Sequence, residues 1–396
     1  MRDRVAPAAL SPELRVLLLS AGGAENDAEI ARLTGNGLDW TTMAFLAQNE
    51  NVASALWRKL NAACPPDRLS AAVELCTLAR LGEFRQLQLR LALARVLDVL
   101  DAAGIDAVLL KGASLAVSCY PSFMDRPMSD LDVLVDASRV DAARSALLAT
   151  GFVRRFGDSA DSVYALHHHA EPLTDPRKTQ VTVELHAELF PPGNPFRLTA
   201  DVIRARARDA VFEGRRVRVP AVHDQLLHVC LHFGWSDAMS RGSWRALRDV
   251  REIVSTGEVL WPEFIALALE NRAASSCYWT LRLARRLAGA QVPTAALDAF
   301  RPPHSPFVLD RLERHLVLQL IRNDRSCPSP ALTRRLWEWA ILPEWSGHGR
   351  ARPWNGQEEF LRLEAEAPRT DSVWTKIGRY ARRNGGWARY IRSVAS

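Results

Sequence analysis

An apolar run that closes on a lysine and a glycine, Leu109-Leu110-Lys111-Gly112-Ala113-Ser114, is followed by Ser129-Asp130-Leu131-Asp132-Val133-Leu134-Val135. The first segment predicts a buried strand turning through small residues into a helix, the second a strand with two aspartates at alternate positions. Side chains alternate faces along a strand, so Asp130 and Asp132 point one way and Leu131, Val133 and Val135 the other. Such a sheet packs its apolar face on a core and leaves paired carboxylates on the opposite face beside a glycine turn. Hard oxygen donors in this arrangement suit Mg²⁺, with Mn²⁺ as the alternative.

Around this centre the hydrophobic period changes twice. From Leu14 to Gly104 it is helical, with apolar residues recurring through Leu81, Phe84, Leu87, Leu91, Ala94, Leu97 and Leu100. From Ile105 to about Phe196 it fits strands at Ala107 to Leu110, Leu131 to Val135 and Val181 to Phe190, with a helix from Val140 to Ala149. Beyond Arg197 helical segments return near Ala221 to Phe233, Trp244 to Val254, Trp261 to Leu287, Phe307 to Ile321 and Leu332 to Ile341. The expected organisation is a helical region over 1–104, an α/β unit over 105–196, a helical domain over 197–370 and a basic aromatic tail over 371–396. A chain of 396 residues with 48% hydrophobic content can bury one large or two medium cores.

The cysteines Cys64, Cys76, Cys119, Cys230, Cys277 and Cys327 show no CxxC spacing, which argues against a zinc site or disulfide framework and for a reducing, cytoplasmic setting. The run Val16-Leu17-Leu18-Leu19 is too short for a signal-peptide core or a membrane span, so no membrane partner is expected. Lys376, Arg379, Arg382, Arg383, Arg389 and Arg392 match the whole net charge of +6 and alternate with Trp374, Tyr380, Trp387 and Tyr390. That tail suits docking on the body as an amphipathic helix or, less commonly, gripping a polyanion.

Moving a nucleoside monophosphate requires neutralising a triphosphate, activating an acceptor, and holding attacking and leaving oxygens in line; carboxylate-bound metal ions meet all three needs. A third carboxylate on a neighbouring strand completes such a site. Glu184 in Val181-Thr182-Val183-Glu184-Leu185-His186-Ala187-Glu188 is the preferred candidate, as metal ligand or base, although Glu188 shares its face. Gly112 lets backbone amides approach a phosphate, Ser114 adds a hydroxyl, and Lys111 and Arg126 are natural charge partners for phosphate oxygens.

Leu110-Lys111-Gly112-Ala113, Arg126, Ser129-Asp130-Leu131-Asp132 and Glu184-Leu185-His186 together resemble the nucleotidyltransferase superfamily with a DNA polymerase β-like palm, and within it the bacterial uncharacterised nucleotidyltransferases. The resemblance extends through Leu226-Leu227-His228 and Leu231-His232 and covers roughly Leu38 to Val254. It implies an α+β palm flanked by helical regions, an NTP substrate with ATP the first candidate, and metal ligation by Asp130, Asp132 and Glu184. The acceptors it allows are a small molecule, RNA, or a peptide or protein, lasso-type peptides among them. A palm that has lost catalysis and only binds nucleotide or a partner, with an RNA role for the tail, is the alternative. Where the superfamily usually has Ser after the turn glycine, this chain has Ala113, with the hydroxyl one residue later.

Histidines invite metal readings of their own. Along a regular strand only His167 and His169 of His167-His168-His169 would converge, a weak metal site, and a place beside the active-site mouth, where they could meet substrate, is preferred. His228 and His232 are spaced i, i+4 but lack the HExxH glutamate, so they and His223 are expected in helix packing or at the site's rim. Among Trp244, Arg245, Arg248 and Asp249, Arg248 is singled out as a nucleotide contact, with a purely structural role the favoured alternative.

Overall fold

The computed structural model describes residues 10–157, 164, 167–175, 177, 181–321, 330–341, 387 and 390–395. The expected α+β architecture is present. Five helices come first: α1 (Pro12–Leu19), α2 (Asp27–Gly35), α3 (Trp40–Asn49), α4 (Ala53–Ala63) and α5 (Val73–Ala102). Ser11 and Asp39 cap α1 and α3 with side-chain oxygens on backbone N–H groups. Gly104, at φ +61, ends the path of α5, and Ile105 N–H returns to Leu100 O at 2.9 Å.

Strands β1 (Ala107–Leu109), β2 (Asp130–Val135), β3 (Val153–Arg154), β4 (Leu173–Thr174), β5 (Thr182–His186), β6 (Arg208–Phe212) and β7 (Arg215–Val219) form one sheet in the order β3-β4-β5-β2-β1-β7-β6. Within this span lie α6 (Lys111–Ser118), α7 (Val140–Ala149) and α8 (Ala200–Arg206). β2 runs antiparallel to β1 and parallel to β5. The sheet therefore does not stop near Phe196. The β6–β7 hairpin, turned through Glu213 (φ 51) and Gly214 (φ +76), extends it on the β1 side. Its alternation is hard to see in the sequence because charged residues, Arg216 paired with Asp209 and Arg218 with Asp106, stand on the face turned away from Val217 and Val219.

The remaining helices are α9 (Val222–Leu231), α10 (Ser243–Ser255), α11 (Trp261–Glu270), α12 (Ala274–Leu287), α13 (Thr294–Ala299), α14 (Pro306–Leu320) and α15 (Pro330–Ile341). The single segment expected from Trp261 to Leu287 is thus two helices, broken around Arg272 (φ 56).

Two hydrophobic clusters hold these layers. One lies under the sheet, where Leu131, Val133, Val135, Val183 and Leu185 pack with Leu93, Val96 and Leu100 of α5 and Leu147 of α7. The other joins the N-terminal helices to α9 through α15, with Trp244, Trp279, Phe233 and Phe264 at its centre. The N- and C-terminal helical regions thus share one core, reinforced by Trp244 Nε1 donating to Ser20 Oγ at 2.8 Å. Four of the seven residues in the expected apolar series on α5 lie outside both cores: Leu81, Phe84, Leu87 and Leu91 are exposed, because the helix presents Leu89, Leu93, Val96 and Leu100 to the sheet.

The described part of the tail docks on the body. Tyr390 is buried with its hydroxyl 3.0 Å from His315 Nδ1, and Arg311 Nη1 donates to the carbonyls of Val394 and Ala395. Arg382 and Arg383, the expected polyanion contacts, lie outside the described residues. Among the described residues no helix is long and apolar enough to cross a membrane.

A π-helical turn, His232–Ser236, follows α9 and crosses α12 closely at Gly234. A Cβ there would meet Ser276 Oγ at 2.8 Å and Cβ at 2.9 Å; the hydroxyl can rotate aside, but Cβ is fixed to the backbone of α12. Gly234→Ala is expected to destabilise by about 1–3 kcal/mol. Chemical denaturation should show much of that loss recovered when Gly234→Ala is placed in a Ser276→Gly background.

Candidate active site

Parallel pairing of β2 with β5 sets Asp132 opposite Glu184, and Leu134 opposite His186. Asp130, Asp132, Glu184 and His186 therefore share the sheet face turned away from the Leu131–Val133–Val135 core. Leu110 N–H bonds to Asp132 O at 3.0 Å and fixes the glycine turn against β2. Lys111 begins α6 with φ 44, a left-handed value that disfavours residues with a Cβ by roughly 1–2 kcal/mol. Its ammonium reaches Asp132 Oδ1 at 2.6 Å. His186 Nε2 meets the same oxygen at 2.8 Å and Glu184 Oε2 at 3.6 Å.

These groups behave as one electrostatic unit. Burial, then the charges of Asp132 and Glu184, push the Asp130 carboxyl up to about 6. Burial acts the same way on Asp132, but the Lys111 ammonium and the hydrogen bond from His186 outweigh it and hold that carboxyl well below the usual range. Glu184, also opposed by burial, is drawn down to about 2, chiefly by its hydrogen bond with His186. Burial and Lys111 work against the His186 cation, yet hydrogen bonds to Asp132 and Glu184 raise its pKa. The Lys111 ammonium is likewise disfavoured by burial, but Asp132, Glu184 and Asp130 raise its pKa beyond the ordinary lysine value. Three crowded carboxylates with one left above its normal range form a donor set short of positive charge, which fits a hard divalent cation.

The face opens into a cleft walled by α6, the Arg126–Asp132 segment, α9, the π-helical turn and α10. Two buried polar atoms in its wall, Ser114 Oγ and His228 Nε2, have no hydrogen-bond partner. The first turn of α6 has no side-chain cap, so its backbone N–H groups are also available to an anion. Arg245 lines the cleft, and its charge acts on Asp130 and on the buried Glu50. Among the described residues its guanidinium makes no hydrogen bond or ion pair.

Several expected contacts sit differently. Arg126 lines the cleft, but its fork is taken: Nε and Nη2 donate to the two oxygens of Asp249, both at 2.7 Å, and Nη1 donates to Pro127 O. Tyr120 Oη adds a bond to Asp249 at 2.6 Å. Arg126 is thus a buried clamp between the β2 approach and α10. A Cβ on Gly112 would lie 3.2 Å from Arg126 Nη1 and Met128 Cβ, so the glycine also permits close packing. Glu188 leaves the shared face because β5 ends at His186; its Oε2 accepts from Ala200 N–H at the start of α8. Arg248 points instead at the carbonyls of Ala21 and Gly22 and pairs with Glu252. His228 and His232 reach the cleft wall, whereas His223 Nε2 accepts Leu260 N–H before α11.

Arg245 and Asp249 were visible as a charged helical turn, but the sequence does not say which member faces the cleft. Gln86, whose amide donates to Arg126 O at 2.5 Å, carried no sequence signal beyond being polar in an apolar helix.

No curated protein and no solved structure matches the chain. A family model described as uncharacterised nucleotidyltransferase matches residues 36–289, which cover the sheet and cleft and reach into both flanking helical regions. With most of the chain matched and the carboxylate face inside the match, this protein belongs to the uncharacterised nucleotidyltransferase family.

Proposed function

We propose that the chain transfers a nucleoside monophosphate from an NTP, with ATP the first to test, to an acceptor nucleophile and releases pyrophosphate. The observation that carries this reading is the β2–β5 register, which gathers Asp130, Asp132 and Glu184 beside Lys111, with Lys111 and both aspartates lining the cleft. Mg²⁺ or Mn²⁺ held by these three carboxylates would supply charge neutralisation and in-line positioning at the phosphate.

The chain's own residues do the rest. Lys111 adds a positive charge at the carboxylate cluster. Ser114 Oγ and the uncapped amides of α6 donate to phosphate oxygens, and Arg245 supplies the bidentate fork that Arg126 cannot. A carboxyl held near the low end of its range is a poor base at neutral pH, so Glu184 suits ligation better than proton abstraction. The acceptor is a small molecule, a peptide or protein, or RNA. The intact carboxylate trio favours turnover over a silent binding module.

The test is incubation with each α-³²P-labelled NTP, Mg²⁺ and a cell extract as acceptor source. Label should move into one extract fraction with wild-type protein and not with Asp130→Asn/Glu184→Gln; absence of both nucleotide binding and transfer in the wild type would sink the reading. Arg245→Ala should weaken nucleotide binding by about tenfold or more, the worth of a charged hydrogen bond. Because Arg245 makes no hydrogen bond or ion pair among the described residues, the melting temperature of Arg245→Ala should stay close to wild type. Unchanged nucleotide affinity would remove Arg245 from the site.

A further inference from the structure

Beside the carboxylate face the chain places three consecutive imidazoles together. His167, His168 and His169 each offer a ring nitrogen, and these lie within 4.8 Å of one another. Their ring centroids are 4.0–4.8 Å apart. A regular strand would throw His168 to the opposite face, but the backbone bends at His167 and His168 and becomes extended only at His169, which bridges to His186. The bend is anchored. His168 O accepts from the N–H groups of both Ala187 and Glu188 at 3.0 Å, and Ala170 N–H donates to Leu185 O at 2.8 Å.

His168 and His169 present ring nitrogens for ligation, while His167 Nδ1 accepts from His169 N–H at 3.4 Å. Ala170 O can only accept, so the 2.7 Å contact from His169 Nδ1 places the proton on Nδ1 and leaves the Nε2 lone pair free. This is the backbone-carbonyl contact that fixes the tautomer of metal-binding histidines. His169 Nε2 lies 3.6 Å from Glu184 Oε2, a carboxylate oxygen within reach of the cluster. His168 Nδ1 is buried without a hydrogen-bond partner, a condition that buried polar atoms seldom tolerate unless a ligand answers it.

We propose that His167, His168 and His169 bind a divalent transition-metal ion of the imidazole-preferring class, with Glu184 as a fourth, shared donor. Zn²⁺ or Co²⁺ suits this nitrogen-rich set, whereas Mg²⁺ prefers the oxygens of Asp130 and Asp132. The site lies alongside the carboxylate trio and meets it only at Glu184. It does not depend on nucleotidyl transfer.

The probe is Co²⁺ added to the chelator-treated full-length protein without an affinity tag and in excess Mg²⁺, followed by visible d–d absorption. One equivalent should bind, and the bands should persist in Asp130→Asn/Asp132→Asn. Affinity should fall at least a hundredfold in His167→Gln/His168→Gln, with His168→Gln alone giving a smaller loss in the same direction should the double variant fail to fold. No absorption with wild type, bands unchanged in both histidine variants, or equal loss in the aspartate variant would overturn the proposal. The readout involves no nucleotide, so its failure leaves the transfer reading standing, and failure of transfer leaves this one standing.

Discussion

Asp132→Asn is expected to lower nucleotidyl transfer by about a thousandfold, the upper end of what one preorganised electrostatic contact supplies, with more lost if a metal ligand goes with it. Asp132 is the hub of the carboxylate face. One of its oxygens receives both the Lys111 ammonium and His186 Nε2, and the residue sits directly across from Glu184. An amide in its place keeps nearly the same shape but removes the charge to which both groups respond. Lys111 retains Glu184 and Asp130 nearby, and its side chain is 22% exposed, so water can take up part of the difference. The melting temperature should therefore fall only modestly. Asp132→Glu keeps the charge but displaces it by one methylene, enough to cost a large part of the rate through misplacement. Single-turnover rates paired with thermal melts separate the effects. Activity within tenfold of wild type in a folded Asp132→Asn protein would remove this face as the catalytic centre.

The acidic face was legible in the sequence because it rests on strand periodicity, and that periodicity is local. Asp130 and Asp132 alternate with Leu131 and Val133, and Glu184 with Val183 and Leu185, so both strands announce which way their carboxylates point. The preference for Glu184 over Glu188 was not decided by alternation. It depends on β5 ending at His186, after which the chain turns Glu188 toward the start of α8. The triple histidine was read by the same rule, which sent His168 to the face opposite His167 and His169; the rule holds only for regular strand, and His167 and His168 lie in a bend. The burial pattern of α5 shows another limit. A helix of 30 residues with apolar side chains on more than one face has no unique inward stripe until its partners are known, which is why Leu81, Phe84 and Leu87 looked like core and are exposed. Arginine roles were the least legible. Arg126, Arg245 and Arg248 carry the same chemistry, and only their packing separates them: Asp249 clamps the first, the second lines the cleft, and the third turns to the carbonyls of Ala21 and Gly22.

That clamp carries the largest expected effect on stability. Arg126→Ala should destabilise the protein by about 3–5 kcal/mol, because it strands the buried Asp249 carboxylate without its bidentate partner. Against the roughly 5–15 kcal/mol that separates folded from unfolded domains, this is a large fraction. Arg126→Lys should recover little, since one ammonium cannot reproduce the paired bonds from Nε and Nη2. Arg126→Met/Asp249→Leu should cost less than the sum of its parts, because neither buried charge is left alone. Denaturant titration of the cycle measures this coupling directly. The competing view, in which Arg126 grips phosphate, predicts a different pattern: a raised KM for nucleotide with nearly unchanged stability. The geometry favours the clamp, because all three guanidinium nitrogens are already engaged within the chain and burial of the pair leaves little water to compensate for their loss. Loss of transfer in Arg126→Ala should then track the unfolded fraction, and cooling or a stabilising background that restores the fold should restore activity with it.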